Sequence, residues 1–305
     1  MYNYTITQWV FFFYFYCFFG WIFESTYVSL KSRKFVNRGF MRGPFLPIYG
    51  SGAIMMLVVS MPFQDNLVLT YLAGCVGATA LELVTGMAME SLFKVRYWDY
   101  SNQKFNYKGH ICLSSTIAWG FLTIFMTEFL HKGVEKLILS VPYGIITTVT
   151  SVVSVYIISD FTLSFKAALD LRDLLVGLDK AKAEMERIQK RLDVIVAVAN
   201  DEIEQRRQEN SMRIDELMEH IEGRFGAVKE RMRLNPSEFM EEVREEISEL
   251  RSRYTVEKER RKQFRGLKDL YLRNIIKGNP SMYSKRFEEA LEEMKRAVQE
   301  RRGRK

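Results

Sequence analysis

Between Trp9 and Phe23 the sequence reads WVFFFYFYCFFGWIF, fifteen consecutive residues without a charge. A helix needs about 20 predominantly apolar residues to cross a bilayer core, and apolar character extends over roughly residues 6–30, long enough to do so. Four further apolar segments follow at about 45–61, 67–93, 111–130 and 142–163, of which the second is the shortest. Charge is distributed just as unevenly. Of the chain's 44 Lys+Arg and 37 Asp+Glu, residues 1–163 hold only 11 and 8, leaving 33 and 29 for residues 164–305. The expected fold is therefore all-α: a polytopic membrane bundle of about five transmembrane helices over 1–163, followed by cytoplasmic coiled-coil helices over 164–234 and a charged helical region over 235–305.

The first apolar tract has neither a basic stretch before it nor a small-residue cleavage site, so it is expected to remain as a helix. Orientation follows from short-loop cations, because Lys and Arg are retained on the cytoplasmic side. None precedes the first span, whereas Lys31, Arg33, Lys34, Arg38 and Arg42 follow it. PFQDN after the second has none, and Lys94, Arg96, Lys104 and Lys108 follow the third. Only Lys132 and Lys136 follow the fourth. This alternation puts the N-terminus outside and the tail in the cytoplasm. HKGVEKLILSVPY, residues 131–143, is too short and charged for a sixth crossing and is expected to be a short interfacial helix ended by Pro142.

Acids within such spans are costly, about 2.5–3.5 kcal/mol each at a helix centre, so they normally face protein or water. Glu24, Glu82, Glu90, Glu128 and Asp160 are the candidates. At about 1.5 Å per residue, Glu24 lies roughly 9 Å and Glu82 roughly 16 Å from the cytoplasmic ends of their spans. Glu90 and Asp160 sit close to the same surface, so four of the five gather in one half; Glu128 is expected to be solvated at the other. Gly74, Ala78, Glu82, Gly86 and Glu90 recur every four residues, a ridge that small residues open to close helix approach and that should face the interior. A structural polar contact and a functional carboxylate both satisfy that ridge.

Residues 37–52, NRGFMRGPFLPIYGSG, combine four glycines, two prolines and two arginines directly after an apolar helix. Pro44 and Pro47 prevent a helix from running smoothly into the second span, and the glycines allow close approach. The chain should therefore re-enter as an irregular segment, tolerated at membrane depth only against protein or water. Arg38 and Arg42 then either turn inward to meet Glu24, Glu82 or Glu90, or simply mark the inner loop. The loop after the third span interleaves Tyr97, Trp98, Tyr100, Phe105 and Tyr107 with Asp99, Asn102 and Asn106. Aromatics anchor at the interface, while the polar DYSNQKFN core suggests an ordered turn closing the acidic chamber.

Several pieces together resemble a known family: FGWIFES (19–25), FVNRGFMRGPFLPIYGSG (35–52), LELVTGMAMESLF (81–93), WDYS (98–101) and FNYKGHICL (105–113). In this order and spacing they are similar to the putative ABC-transporter permease family, type IV or CmpB-like, of bacterial membrane proteins. The resemblance implies a location in the bacterial cytoplasmic membrane, a transport role and an ATPase carried on a separate subunit. It singles out Glu24, Arg38, Gly39, Gly43, Pro44, Pro47, Tyr49, Gly50, Glu82, Glu90, Trp98, Asp99, Tyr100, Asn106 and Gly109 without giving them roles. With Arg42 added from the reading above, the cavity candidates are Glu24, Arg38, Arg42, Tyr49, Glu82, Glu90, Trp98, Asp99, Tyr100 and Asn106.

This chain contains no G-x-x-x-x-G-K-[ST], so it has no Walker-type phosphate loop. His110, His131 and His220 share no motif with an acid or nucleophile, and Cys17, Cys75 and Cys112 lie in or beside apolar spans as packing thiols. No catalytic set, cofactor or metal site is expected.

In the tail, Leu171, Leu174, Leu178, Ala181, Met185, Ile188, Leu192 and Ile195 follow a 3,4 alternation expected to continue the fifth span as a rigid helix; Ile214 to Met232 resume it. Such a seam favours a homo-oligomer or a hairpin. Asn235-Pro236-Ser237 and Asn279-Pro280-Ser281 each read as an N-cap with Pro at the first helical position. Residues 251–277 carry ten Lys+Arg against three acids, with Phe264, Leu267, Tyr271 and Ile275 on one side; that face suits either anionic lipid or the chain's own coiled coil, and nucleic acid is not the expected partner. The readings that survive are a permease-type subunit with a cytoplasm-facing polar cavity, a membrane-anchored scaffold or signalling protein acting through its coiled coil and, last, an intramembrane enzyme on lipid-linked substrates.

Overall fold

The computed structural model describes residues 3–205 and 270–300, together with residues 245, 248, 249, 252 and 255. The seam from Ile214 to Met232, the Asn235-Pro236-Ser237 cap and the basic stretch before Leu270 lie outside the described residues. The chain divides into two compact units, Met1–Val176 with Leu267–Lys305, and Gly177–Gly266.

The first helix, α1 (Ile6–Ser32), starts at a capping box in which Thr5 accepts from Gln8 N and the Gln8 side chain accepts in return from the Thr5 backbone. It ends where Arg33 turns left-handed. After it come α2 (Pro47–Ser60), a 3-10 turn (Met61–Phe63) and α3 (Leu67–Phe93), whose N-cap Asn66 accepts from Val68 N and Leu69 N. A two-stranded hairpin, β1 (Asn106–Tyr107) and β2 (Ile111–Cys112), leads into α4 (Leu113–Phe125). A π-helical turn (Met126–Leu130) joins α4 to α5 (His131–Leu139). Next is α6 (Tyr143–Gln205), followed in the described part of the tail by α7 (Leu270–Gly278) and α8 (Glu288–Glu300). The fold is all-α, as the spans require, with that small hairpin the only pair of strands among the described residues.

Among the described residues, four helical stretches are long and apolar enough to cross a membrane: Ile6–Ser32, Leu67–Phe93, Leu113–Leu139 and Tyr143–Glu184. The expected fifth crossing is instead a composite. Helix α2 has 14 residues, about 21 Å at the helical rise, and is preceded by an irregular segment descending beside α1. The α1 row Cys17, Trp21, Ser25 and Ser29 receives it: Val36 N donates to Ser29 Oγ at 2.9 Å, Arg38 N to Ser25 Oγ at 3.1 Å, and Leu46 N to Cys17 O at 3.0 Å. Trp21 Nε1 donates to Asn37 Oδ1 at 2.7 Å. From Ser29 to Cys17 is about 18 Å of helix, so irregular backbone does reach membrane depth, and its polar groups find partners as such a site demands. Pro47 then occupies the first turn of α2, where its missing N–H costs nothing.

Glycines set the closest contacts. A Cβ on Gly50 would lie 2.4 Å from Cys17 Sγ and 2.7 Å from Phe13 O, and one on Gly20 would lie 2.4 Å from Tyr49 Cβ. Helices α1 and α2 therefore meet at a distance no larger residue permits. The shared core gathers Phe12, Tyr16, Met56, Leu57, Ala78, Met126, Ile138 and Ile146. Cys17 and Cys112 are buried, and all three cysteines are unbridged.

Two expectations for the connections change. Residues 131–139 are not a separate interfacial helix; they prolong α4, with His131, Val134 and Ile138 buried and Lys132 and Lys136 on the exposed side. The charges fit because they share one face, and the helix stops only before Pro142, which opens α6 by accepting from Ile145 N and Ile146 N. As expected, α6 continues the last span without a break, burying Ala167, Ala168, Leu171 and Leu175.

The described part of the basic stretch, α7, does not present its apolar side to lipid or to a coiled coil. It buries Leu272, Ile275 and Ile276 and lies against the descending segment: Asn274 Nδ2 donates to Met41 O at 3.3 Å, and a Cβ on Gly278 would meet Asn37 O at 2.5 Å. Nor is Asn279 an N-cap. It lies in the turn between α7 and α8, where Nδ2 donates to Gly39 O at 2.9 Å and to Ile275 O at 2.8 Å. An exposed cap and a buried bracket call for the same short amide.

Candidate functional site

The descending segment brings Arg38 to Glu24. Arg38 Nε reaches Glu24 Oε1 at 3.3 Å, and its Nη1 donates to Gly278 O at 3.2 Å and Asn279 Oδ1 at 2.9 Å. The other Glu24 oxygen accepts from Tyr49 Oη at 2.6 Å. Both ion-pair side chains are largely withdrawn from solvent, 15 % exposed for Arg38 and 23 % for Glu24. A pair so desolvated holds together through its additional hydrogen bonds, and losing either member strands the other. Asp160 on α6 serves the same segment: it accepts from Gly43 N at 2.8 Å, and Gly43 packs so tightly on Tyr156 that a Cβ would lie 2.2 Å from its hydroxyl.

The α3 ridge faces inward. Gly74 lies against Thr123 and Gly86 against His110 and Trp98, while Ala78 and Glu82 are buried between them. Glu82 Oε1 accepts from Tyr100 Oη at 2.9 Å, and Oε2 accepts from Trp119 Nε1 at 2.9 Å and Ser115 Oγ at 3.3 Å. All three donors are neutral. Burial first, and then the Glu82 charge, push the Tyr100 phenol above its ordinary range, so it stays protonated and donates.

About two turns further along α3, Glu90 is held differently. Arg96 Nε lies 2.9 Å from its Oε1 and His110 Nε2 lies 3.0 Å from its Oε2, while Arg96 Nη1 lies 3.5 Å from Asp99 Oδ1. Asp99 closes a turn by accepting from Ser101 N at 3.0 Å and Ser101 Oγ at 2.6 Å. Asn106 bridges the loop from Ser101 O and Gln103 O to Gly109 N. The hairpin turns at Lys108 and Gly109, both with positive φ, and His110 N donates to Tyr107 O at 3.0 Å. A side chain on Gly109 would be strained by its φ of 74° and would lie 2.5 Å from Asp99 Oδ1, so only glycine fits both turn and neighbour. Across this loop, Arg96 and Tyr283 pair as a short antiparallel bridge, and Ser284 Oγ donates to Lys94 O at 2.6 Å.

Between these elements lies a cavity of about 540 Å³, within the size range of small-molecule sites. Glu24, Arg38, Tyr49, Glu82, Trp98 and Tyr100 line it; Arg42, Glu90, Asp99 and Asn106 do not. Arg42 is exposed, with its guanidinium 5.5 Å from the Tyr271 ring centre. Glu90, Asp99 and Asn106 shape the loop that supplies Trp98 and Tyr100. Glu128 pairs with Lys132 at 2.7 Å, away from the cavity lining. Apolar side chains from α2, α3 and α6, among them Met56, Leu81, Met89, Phe93, Phe161 and Phe165, form most of the wall.

Some lining residues carry no signal at sequence level. Trp119, Asn279 and Tyr97 belong to the cavity; Ser115 supports Glu82, and His110 supports Glu90 beside it. The only hint for His110 is its place in FNYKGHICL. His131, expected in an outer loop, is fully buried, with Tyr16 Oη 2.8 Å from Nδ1 and Tyr4 Oη 3.1 Å from Nε2. Tyr4 also donates to Glu135. The π turn brings His131 in from a helix that otherwise carries exposed charges.

No curated protein and no solved structure matches this chain. A family model described as Putative ABC-transporter type IV matches residues 11–165, half of the chain and every residue of the cavity lining except Asn279. The chain is thus a multi-pass membrane protein, and it belongs to the putative ABC-transporter type IV family.

Proposed function

We propose that this chain is a permease-type subunit of a membrane transport assembly, with the cavity among α1, α2, α3, α4 and α6 as its solute chamber. One observation carries the reading: Glu24 and Glu82, from different helices, are both held at the wall of a 540 Å³ cavity bordered by irregular backbone at membrane depth. Intramembrane carboxylates and non-helical backbone are each costly in lipid, and their coincidence around a cavity is the arrangement expected of a solute path. Arg38, itself braced by Asn279, and Tyr49 hold Glu24; Tyr100, Trp119 and Ser115 hold Glu82.

The cavity opens toward the cytoplasm in this reading. Nine of the eleven cations in residues 1–163 lie in the two loops at the Arg38 and Arg96 end, and short-loop cations stay inside. The N-terminus is then external and the tail cytoplasmic, in the plasma membrane of a bacterium. Without a phosphate loop of its own, the chain draws on ATP only through a separate ATPase subunit. Membrane lipid surrounds the exposed apolar helix faces.

A second reading rests on α6, a single helix of 63 residues. A membrane-anchored scaffold or signalling protein that self-associates through this helix would use the bundle as an anchor. Affinity purification from native membranes, with flux measured in reconstituted vesicles, separates the two. Recovery of an ATPase and loss of flux in Glu82→Gln support the permease; full function in Glu82→Gln, and none after removal of residues 177–266, supports the scaffold.

A further inference from the structure

The cavity joins a broad apolar wall to an unbalanced charge. Glu24 has Arg38 at 3.3 Å. Glu82 accepts only from the neutral Tyr100, Trp119 and Ser115, and no Lys, Arg or His among the described residues lies within ion-pair distance of it. With both acids and Arg38 ionised, the lining carries one net negative charge. The Trp119 indole can only donate, so the oxygen it meets is a lone-pair acceptor. A carboxylate held this way in surroundings of low dielectric attracts a cation more strongly than it would in water.

A second, independent observation concerns Tyr97. Its side chain is buried and lines the same cavity, yet its hydroxyl has no hydrogen-bond partner among the described residues. Burial pushes this phenol well above its ordinary range, so it remains a neutral O–H. Buried hydroxyls are normally partnered, but this oxygen is itself out of reach of solvent, so it marks a dry part of the cavity wall.

We propose that the cavity takes an amine with an apolar body: Glu82 supplies the counter-charge to the ammonium, and the Met, Leu and Phe wall, dry enough to leave the Tyr97 hydroxyl unpartnered, receives the body. This names the substrate class of the chamber and rests on the permease reading for its location only. Anionic solutes are excluded by the same charge, and a fully hydrophilic cation would leave Met89, Leu92, Phe93 and Phe165 facing polar atoms.

The test uses the full-length protein in lipid nanodiscs and three probes with one body and different heads: 4-phenylbutylamine, 4-phenylbutanol and 4-phenylbutyrate. Binding is read from tryptophan fluorescence, since Trp98 and Trp119 line the cavity. The amine should bind about tenfold more tightly than the alcohol, and the carboxylate more weakly than either. Glu82→Gln should abolish the difference between amine and alcohol. Equal affinity of all three probes for the wild-type protein overturns the proposal without any variant, as does an amine preference that survives Glu82→Gln. The permease reading fails separately: amine bound with the expected preference but never carried across reconstituted vesicles removes transport and leaves the site. Flux of another solute with no amine preference removes the site and leaves transport.

Discussion

The bundle buries polar groups in two places, and they are built on different terms. Where Glu24 and Glu82 lie, carboxylates are held by residues from loops and other helices, with the C-terminal segment bracing Arg38, and border a cavity. Around His131, one imidazole is enclosed by two tyrosines and stacked near Phe12, whose centre is 5.0 Å away, and His131 is no part of that lining. The second arrangement satisfies its own atoms and offers nothing to a solute. The first leaves Glu82 without a counter-charge and Tyr97 without a partner, so satisfaction of buried groups, rather than their burial, separates a packing element from a site.

That contrast can be broken by substitution. Arg38→Ala should have the largest effect, about 3–5 kcal/mol of stability, because it strands Glu24 in a site with little water; thermal unfolding in detergent measures it, and Glu24→Leu combined with Arg38→Leu should recover much of the loss. His131→Leu should cost about 2 kcal/mol by removing its hydrogen bonds to the Tyr4 and Tyr16 hydroxyls, with flux per folded molecule unchanged. A matching fall in flux would mean that the two regions are coupled. Glu82→Gln should reverse the pattern, with near-normal expression and melting but transport lowered about tenfold, equivalent to about 1.4 kcal/mol. Asn279→Ala should be mildest, about 1 kcal/mol, and should make α7 more susceptible to limited proteolysis, since the amide ties Gly39 and Arg38 to the end of that helix.

Periodicity made some of this legible. Gly74, Ala78, Glu82 and Gly86 reveal a face because a helix repeats every 3.6 residues, whatever packs against it. The irregular entry after Gly39 was equally readable, since prolines and glycines act locally. The depth to which it descends was not, because that depends on the α1 row Cys17 to Ser29, which only packing reveals. Residues 131–139 were misjudged because their charges were counted along the chain instead of around the helix. Asn279 was misread for a different reason: an N-cap and a buried bracket demand the same side chain, and the choice lies with Gly39, 240 residues away. His110 and His131 stayed silent because their partners, Glu90, Tyr4 and Tyr16, are remote in sequence.

The account centres on a chamber reached from the end that carries Arg38 and Arg96. Thr85 lines that chamber from α3, so a Thr85→Cys protein, with Cys17, Cys75 and Cys112 replaced by serine or alanine, reports on it directly. A membrane-impermeant maleimide should label this cysteine in inside-out vesicles, should fail to do so in right-side-out vesicles, and should be slowed when 4-phenylbutylamine is present. Labelling from the outer face, or none from either face, would contradict the account.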